Sequence, residues 1–463
     1  MAQIGPATIE VDEHVPCIAE ASYPQRAGNL LLPLVDSGPA FRRICEAVEQ
    51  ARHSVWITVT FLAPDFRMPG ERGTFFDVLD RAAERGLDVR LIFWRPNPES
   101  SGYGQTFAGT QADFDFLAAR GSRFRARWDR APRAYCQHQK SWLIDAGRPA
   151  ETAFIGGINP TFAIVEPGHE GTGQRHDIYT EIAGPCASDV HHNFVQRWNE
   201  ASERHTASGL WGHEADDILP FPTRASDARG SSIVQIQRNI PARCYRNPHP
   251  APESEPYPIA SGEHAITDQY LLSIQAARRT IYLENQALPV VEITRALEQA
   301  LKRGVQVVLL LPGEPEGYIG EWRQRPERKA IFDQLQALGQ YENFTLAGIA
   351  GPTPSGGREY VYVHAKAMLI DDAWATIGSC NLHANSLFGH GELNAAVWDP
   401  DAVRALRCQL LLEHLDQDTG HLTDTAAMQR YQAVARQNTA KWRAGDFAWQ
   451  GLACSLDPAA YGE

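Results

Sequence analysis

Two short stretches of this chain carry a histidine and a lysine two residues apart. The first, CQHQKSWLIDAGRPAETAFIGGIN, contains His138 and Lys140; the second, VHAKAMLIDDAWATIGSCN, contains His364 and Lys366. Each runs through four further residues to an aspartate, Asp145 or Asp371, and then to a Gly-rich turn and an asparagine, Asn159 or Asn381. The histidines are 364 − 138 = 226 residues apart and the aspartates 371 − 145 = 226. In an extended strand residues i and i+2 share a face, so each stretch presents an imidazole beside a fixed cation. Two such pairs turned toward one point suit a phosphodiester. The lysines would stabilise the non-bridging oxygens, whose charge builds in the transition state. One histidine could attack phosphorus while the other protonates the leaving alkoxide. Asn159, Asn381 and Ser379 would add neutral donors for the phosphate at turns where backbone approaches closely. A lone His-x-Lys pair is ordinarily an exposed pair on a strand; two copies with the same downstream residues are not accounted for in that way.

A histidine that must be oriented or charged needs a carboxylate. Asp177, in RHDIYTEIAGP, and Glu392, in GHGELNAAVWD, each follow an asparagine turn and open an alternating apolar stretch. Both are read as histidine partners. The neighbouring His176 and His390 are read as solvated or locally bonded, and His191 and His192 as part surface, part core on one helix. Asp145 and Asp371 each close a strand beside a turn, where aspartate commonly holds the local backbone; they are assigned a structural role. Cys136 and Cys380 flank the motifs and are expected to pack.

The elements that must position these residues also occur twice. FRRICEAVEQARHSVWITVTF is followed by FFDVLDRAAERGLDVRLIFW, and DQYLLSIQAARRTIYLENQAL by ITRALEQALKRGVQVVLLLP. Each reads helix, strand, helix, strand. Phe41, Ile44, Cys45 and Val48 fall on one helical face, and Gly86 and Gly304 are placed to cap helix C-termini. VRLIF and VVLLL are apolar on both faces, as strands covered by helices are. Aligning Ala51 with Ala277 gives 277 − 51 = 226, the same offset as the chemistry-bearing motifs. The expected fold class is therefore α/β: two similar half-domains, mixed sheets flanked by helices, related by a pseudo-two-fold. The halves are placed at residues 1–205 and 263–463, with 206–262 connecting them. Within the connection, YRNPHPAPESEPYPIASG reads as a loop or linker; 313–329 and 351–358 read as further surface loops.

At 463 residues the chain has room for roughly two to three domains of 100–200 residues each. Its 43% hydrophobic and 21% charged content excludes a disordered or fibrous protein. The net charge, 43 − 56 = −13, argues against nucleic acid as a partner. No apolar run is long enough to span a bilayer, and MAQIGPATIEVDEHVPC lacks the basic and apolar regions of a secretory leader. The expectation is a soluble protein, cytoplasmic or peripheral at a membrane surface, with leader-free export left open. The 8 cysteines form no CxxC pair and no zinc spacing, so reduced, scattered thiols are expected.

The paired motifs resemble the HKD signatures of the phospholipase D superfamily. The second fits the family spacing throughout, from His364 through Asp371 to Gly378-Ser379 and Asn381. The first departs from it: AGRPAETA lengthens the hairpin after Asp145, and Gly157 stands where the family has serine. IYLENQAL, HDIYTEIAGPCASDVHHNFVQRWN and YVHAKAMLIDD are similar to segments of phospholipase D proper, and the resemblance extends over about residues 35–415. No segment resembles an added C2, PX or PH domain. The resemblance implies that His138 becomes a phosphohistidine and that His364 serves as general acid, then general base. It implies acids paired across the halves, Glu392 with His138 and Asp177 with His364, and no metal or other cofactor at the site. The implied substrate is a phospholipid at a membrane or micelle surface, the acceptor water or a primary alcohol, and the active unit a monomer. A phosphatidyltransferase of the cardiolipin or phosphatidylserine synthase kind, a nuclease, and a silent scaffold are the alternatives. Tyr318, Ile319 and Trp322 are candidates for touching lipid, against the plainer reading of a packed loop.

Overall fold

Asp145 and Asp371 each end a strand in the left-handed region, with φ of 53° and 56°. Their carboxylates accept backbone N–H groups from the opposite end of the neighbouring strand. Asp145 takes those of Arg52, His53 and Ser54, and Asp371 those of Arg278, Arg279 and Thr280. The two sets again differ by 226 throughout. Each aspartate thus pins the loop that leads from an amphipathic helix into the first inner strand, and so sets the register of the strand that follows each histidine. Val55 pairs antiparallel with Ile144, and Ile281 with Ile370.

The computed structural model describes residues 14–463. Residues 1–13, which hold most of the stretch read above as no secretory leader, lie outside the described residues. The chain is mixed α/β, a large mixed sheet flanked by helices. In the first half the strands run in the order Arg125–Asp129, Asp88–Trp94, Ser54–Val59, Ser141–Ile144, Thr152–Gly156, Ile178–Ala183, Arg26–Val35. In the second the order is Phe344–Pro352, Gln306–Leu310, Thr280–Asn285, Lys366–Ile370, Trp374–Gly378, Glu392–Trp398, Ser232–Ile240. The first three strands of each set are parallel and the rest antiparallel. Ser232–Ile240 lies inside the segment expected only to connect the halves. It occupies the place in the second sheet that Arg26–Val35 holds in the first, and the two strands pair with one another. We propose that the second half begins at this strand.

Helix Ser37–Gln50 buries Phe41, Ile44, Cys45 and Val48, as its periodicity demands. Gly86 and Gly304 have φ of 84° and 91° at the ends of the second helices, a conformation that favours glycine. The segment 313–329 is not a loop throughout: Gly317–Arg323 is a helix that buries Ile319. One apolar cluster includes Ile155, Ile178 and Ile182 from the first half with Val234, Ile377 and Leu393 from the second. The halves therefore share a core, and separating them would expose it to water. Among the described residues no helix is long and apolar enough to cross a membrane.

Asp371→Ala removes the acceptor for three backbone N–H groups at one strand entry. With hydrogen bonds to a charged group worth about 1.5–3 kcal/mol each and only partial relaxation, the loss should be on the order of 3–5 kcal/mol. Urea unfolding followed by circular dichroism measures it; a change below about 1 kcal/mol would show that the aspartate does not hold the strand.

Candidate active site

The histidines do not lie within strands. Each sits in an extended segment just before one: His138 and Lys140 lead into Ser141–Ile144, and Lys366 opens Lys366–Ile370. Two backbone hydrogen bonds set their positions. His138 donates its N–H to the carbonyl of Gly391 at 2.7 Å, and His364 donates to that of His176 at 2.7 Å. Gly391 precedes Glu392 and His176 precedes Asp177, so each main-chain bond brings a histidine against the acid of the opposite half. His138 Nδ1 is 3.0 Å from Glu392 Oε2, and His364 Nδ1 is 2.5 Å from Asp177 Oδ2. With Nδ1 committed in both rings, each Nε2 is left for a reacting atom.

The lysines are anchored alike. Lys140 Nζ donates to the His138 carbonyl at 2.6 Å, and Lys366 Nζ donates to the His364 carbonyl and to Gln286 Oε1 at 3.0 Å. His138 and His364 both line a cavity of about 440 Å³, with Asn381, Gln286, Phe61, His383 and His390 among its walls. Leu288, Val290, Tyr318, Trp322 and Ile331 line the same cavity, together with Glu316 and Arg328. Asn159 lies with Arg175, Asp177 and His364 on a smaller adjoining recess. The side-chain oxygens of Asn159 and Asn381 are buried without a hydrogen-bond partner, so each amide keeps an acceptor free. Ser379 differs from its expected place beside the phosphate. It is fully buried and donates its hydroxyl to Glu392 at 2.5 Å. It holds the acid that holds His138.

Gly157 occupies the corresponding position in the first half. A Cβ there would lie 2.2 Å from Asp177 Oδ1, which leaves no room for a serine. Asp177 is held instead by the N–H of Ile178 at 2.8 Å.

Four further histidines differ from their sequence reading. His176 is buried, with Nδ1 3.1 Å from Asp36 and Nε2 3.0 Å from Glu284. His390 is buried on the cavity wall, accepts the Cys136 N–H at 3.1 Å, and places its ring 6.0 Å from that of His138. His191 and His192 are both buried, His191 against Glu151 and His192 against Tyr23 and a backbone carbonyl. In each case the partner is a group distant in sequence, a carboxylate, hydroxyl or carbonyl for three of them and a backbone N–H for His390, which local pattern does not reveal. Gln286, Glu316 and Tyr362 were also missed. They form one hydrogen-bonded chain beside Lys366. The available signal was Gln286 itself, two residues beyond Glu284 in the ENQ segment.

Burial and the two lysines push both imidazoles well below the usual histidine range, so their Nε2 atoms carry lone pairs in the resting site. Burial lowers Lys140 to about 7 and Lys366 to about 8, with nearby carboxylates opposing the shift. Burial raises Asp177 to about 6 and also raises Glu392. A buried site whose lysines and imidazoles are disfavoured in their charged forms favours a bound anion, which stabilises those forms.

Residues 159–289 match the family model described as phospholipase D, and residues 270–412 match that described as cardiolipin synthase, PLD-like domain. The latter spans His364, Lys366 and Glu392. Phospholipase D alpha 2 of Oryza sativa subsp. japonica is 23% identical over 576 residues, covering 94% of this chain and 70% of the relative. Phospholipase D beta 2 of Arabidopsis thaliana is 23% identical over 530 residues, covering 85% of this chain. The chain spans only 56% of that relative's length. The crystal structure of phosphatidylserine synthase from Haemophilus influenzae Rd KW20 covers 95% of this chain and 91% of its own at a TM-score of 0.53 and 11% identity, a likeness of fold.

The depressed lysines make anion binding pH-dependent. Their charge is present below about 7 to 8 and is lost as pH rises through that range. Sulfate, whose own charge is constant there, should bind about tenfold or more weakly at pH 9 than at pH 6 by calorimetry; a flat profile contradicts the assignment. Gly157→Ala should push Asp177 off His364. Turnover of a dialkyl phosphodiester should fall by about 100-fold with little change in Tm; unchanged turnover would show that this contact does not orient His364.

Proposed function

The chain is a member of the phospholipase D superfamily, and from that premise we propose that it cleaves phosphatidylcholine-like phospholipids to phosphatidic acid through a phosphohistidine. The observation that carries the reading is the crossed pair: two imidazoles on one cavity, each held at Nδ1 by the other half's carboxylate and each followed by a buried lysine bonded to its carbonyl. The apolar side chains Leu288, Val290, Trp322 and Ile331 in the cavity lining support a lipid over a polar diester. The net charge of −13 disfavours a nucleic-acid strand.

In this reading the phosphate oxygens lie between Lys140 and Lys366, with the Asn159 and Asn381 amides beside them. Entry of the anion raises the pKa of His364, which takes up a proton at Nε2 against Asp177. His138 Nε2 then attacks phosphorus in line. The P–O bond to the headgroup breaks, and the departing oxygen takes the His364 proton. The phosphatidyl group is now on His138, and His364 is neutral. Water enters, gives a proton to His364 Nε2, and attacks phosphorus from the vacated side. The N–P bond breaks, and phosphatidic acid leaves. The lysines neutralise both transition states, so no metal participates in these steps. A primary alcohol can replace water and give a phosphatidylalcohol. Transfer to a lipid or serine hydroxyl is the second reading. It is favoured by the match to a model described for cardiolipin synthase.

Quenching His364→Asn enzyme during reaction with phosphatidylcholine should reveal a phosphoramidate on His138, with turnover lowered by about 10²–10⁴-fold. Wild-type enzyme with butanol should yield phosphatidylbutanol with retained configuration at phosphorus, since two in-line displacements each invert it. An inverted product would remove the covalent step. Products from phosphatidylcholine, phosphatidylglycerol and single-stranded DNA, compared in one assay, separate hydrolase, transferase and nuclease.

A further inference from the structure

His169 is fully buried, and neither of its ring nitrogens has a hydrogen-bond partner. Its Nε2 lies 3.2 Å from Asp36 Oδ2 and 3.0 Å from Glu413 Oε1. Asp36 Oδ2 is likewise buried without a hydrogen-bond partner. The other oxygen of Asp36 is 3.1 Å from His176 Nδ1. One ligand atom from each of Asp36, His169, His176 and Glu413 falls within 4.8 Å of all the others. A buried ring nitrogen that faces two carboxylate oxygens at once, with a second imidazole within the same 4.8 Å, is arranged like a ligand around a shared centre. Four ligands about 2.0 Å from a tetrahedral ion stand about 3.3 Å from one another.

We propose that Asp36, His169, His176 and Glu413 bind a divalent transition-metal ion of the zinc class, in a structural site separate from the phosphodiester site. Two imidazoles and two carboxylates suit such an ion, and the carboxylates neutralise its charge. The outer contacts fit as well. His176 Nε2 is 3.0 Å from Glu284, which directs the Nδ1 lone pair toward the ion, and Glu284 accepts the Tyr282 hydroxyl at 2.6 Å. Three of the ligands come from the first half, while Glu413 comes from helix Pro400–Leu415 of the second. The ion would therefore tie the halves together at the residue that precedes Asp177, whose carbonyl receives the His364 N–H.

The test is metal content and coordination, measured on the full chain. Protein stripped with dipicolinate and incubated with Zn²⁺ should retain about one equivalent after gel filtration. Tm should rise by about 4 °C when free Zn²⁺ exceeds Kd a thousandfold. X-ray absorption at the zinc edge should show only nitrogen and oxygen ligands, two of them imidazole, at about 2.0 Å. The Glu413→Gln and His169→Gln variants should each lose the retained equivalent, whereas His364→Asn should keep it. The wild-type measurements decide the matter if either ligand variant fails to fold. Failure of wild-type protein to retain zinc or gain Tm overturns the proposal, as does an equivalent that survives in both ligand variants or disappears in His364→Asn. None of these readouts depends on lipid cleavage, so they stand or fall apart from the proposed activity.

Discussion

Each motif histidine, His138 and His364, is held by a carboxylate that its own half does not supply. The exchange depends on two short backbone hydrogen bonds, His138 to Gly391 and His364 to His176, which seat a histidine beside the residue preceding the opposite acid. Main-chain geometry thereby fixes a side-chain meeting. Neither half alone has a complete site, and neither can move against the other without breaking both pairs. The shared apolar core and the pairing of Arg26–Val35 with Ser232–Ile240 enforce the same arrangement from behind.

Collecting two imidazoles, two ammonium groups and two carboxylates away from water is electrostatically costly. The fold offsets this by spending hydrogen-bonding capacity within the cluster. Lysine ammonium groups return to the carbonyls of their own histidines, Ser379 binds Glu392, and the Ile178 N–H binds Asp177. The side-chain oxygens of Asn159 and Asn381 are left without a partner, Asn381 on the cavity and Asn159 on the adjoining recess. The low lysine and histidine pKa values express that same cost: burial first, and neighbouring cations second for the histidines, disfavour their charged forms, which an anionic ligand would stabilise.

The halves are similar without being equivalent. Ser379 restrains Glu392 on the side of His138, whereas Gly157 leaves Asp177 with one backbone donor on the side of His364. Lys366 has a side-chain partner in Gln286; the position 226 residues earlier is Thr60, whose hydroxyl bonds backbone carbonyls. One imidazole is thus held by a restrained acid and the other by an acid with fewer fixed contacts. That difference accords with one ring forming a bond to phosphorus and the other shuttling a proton.

The sequence by itself determined the repeat, its offset of 226, the strand and helix types, and the identities of both His-x-Lys pairs and both acids. These are legible because they rest on local periodicity and because every signal occurs twice. Even the structural role of Asp145 and Asp371 followed from their position at strand ends. Only the tertiary structure decided that Ser379 turns to Glu392, that Gly157 is required by the Asp177 carboxylate, and that Ser232–Ile240 completes a sheet. It also decided the fate of His169, His176, His390, His191 and His192, all of which are buried. A histidine beside a charged residue looks the same in sequence whether water or a distant carboxylate solvates it. The choice is made by long-range contacts such as Asp36 with His176 or Glu151 with His191, which bring together residues that no local pattern connects.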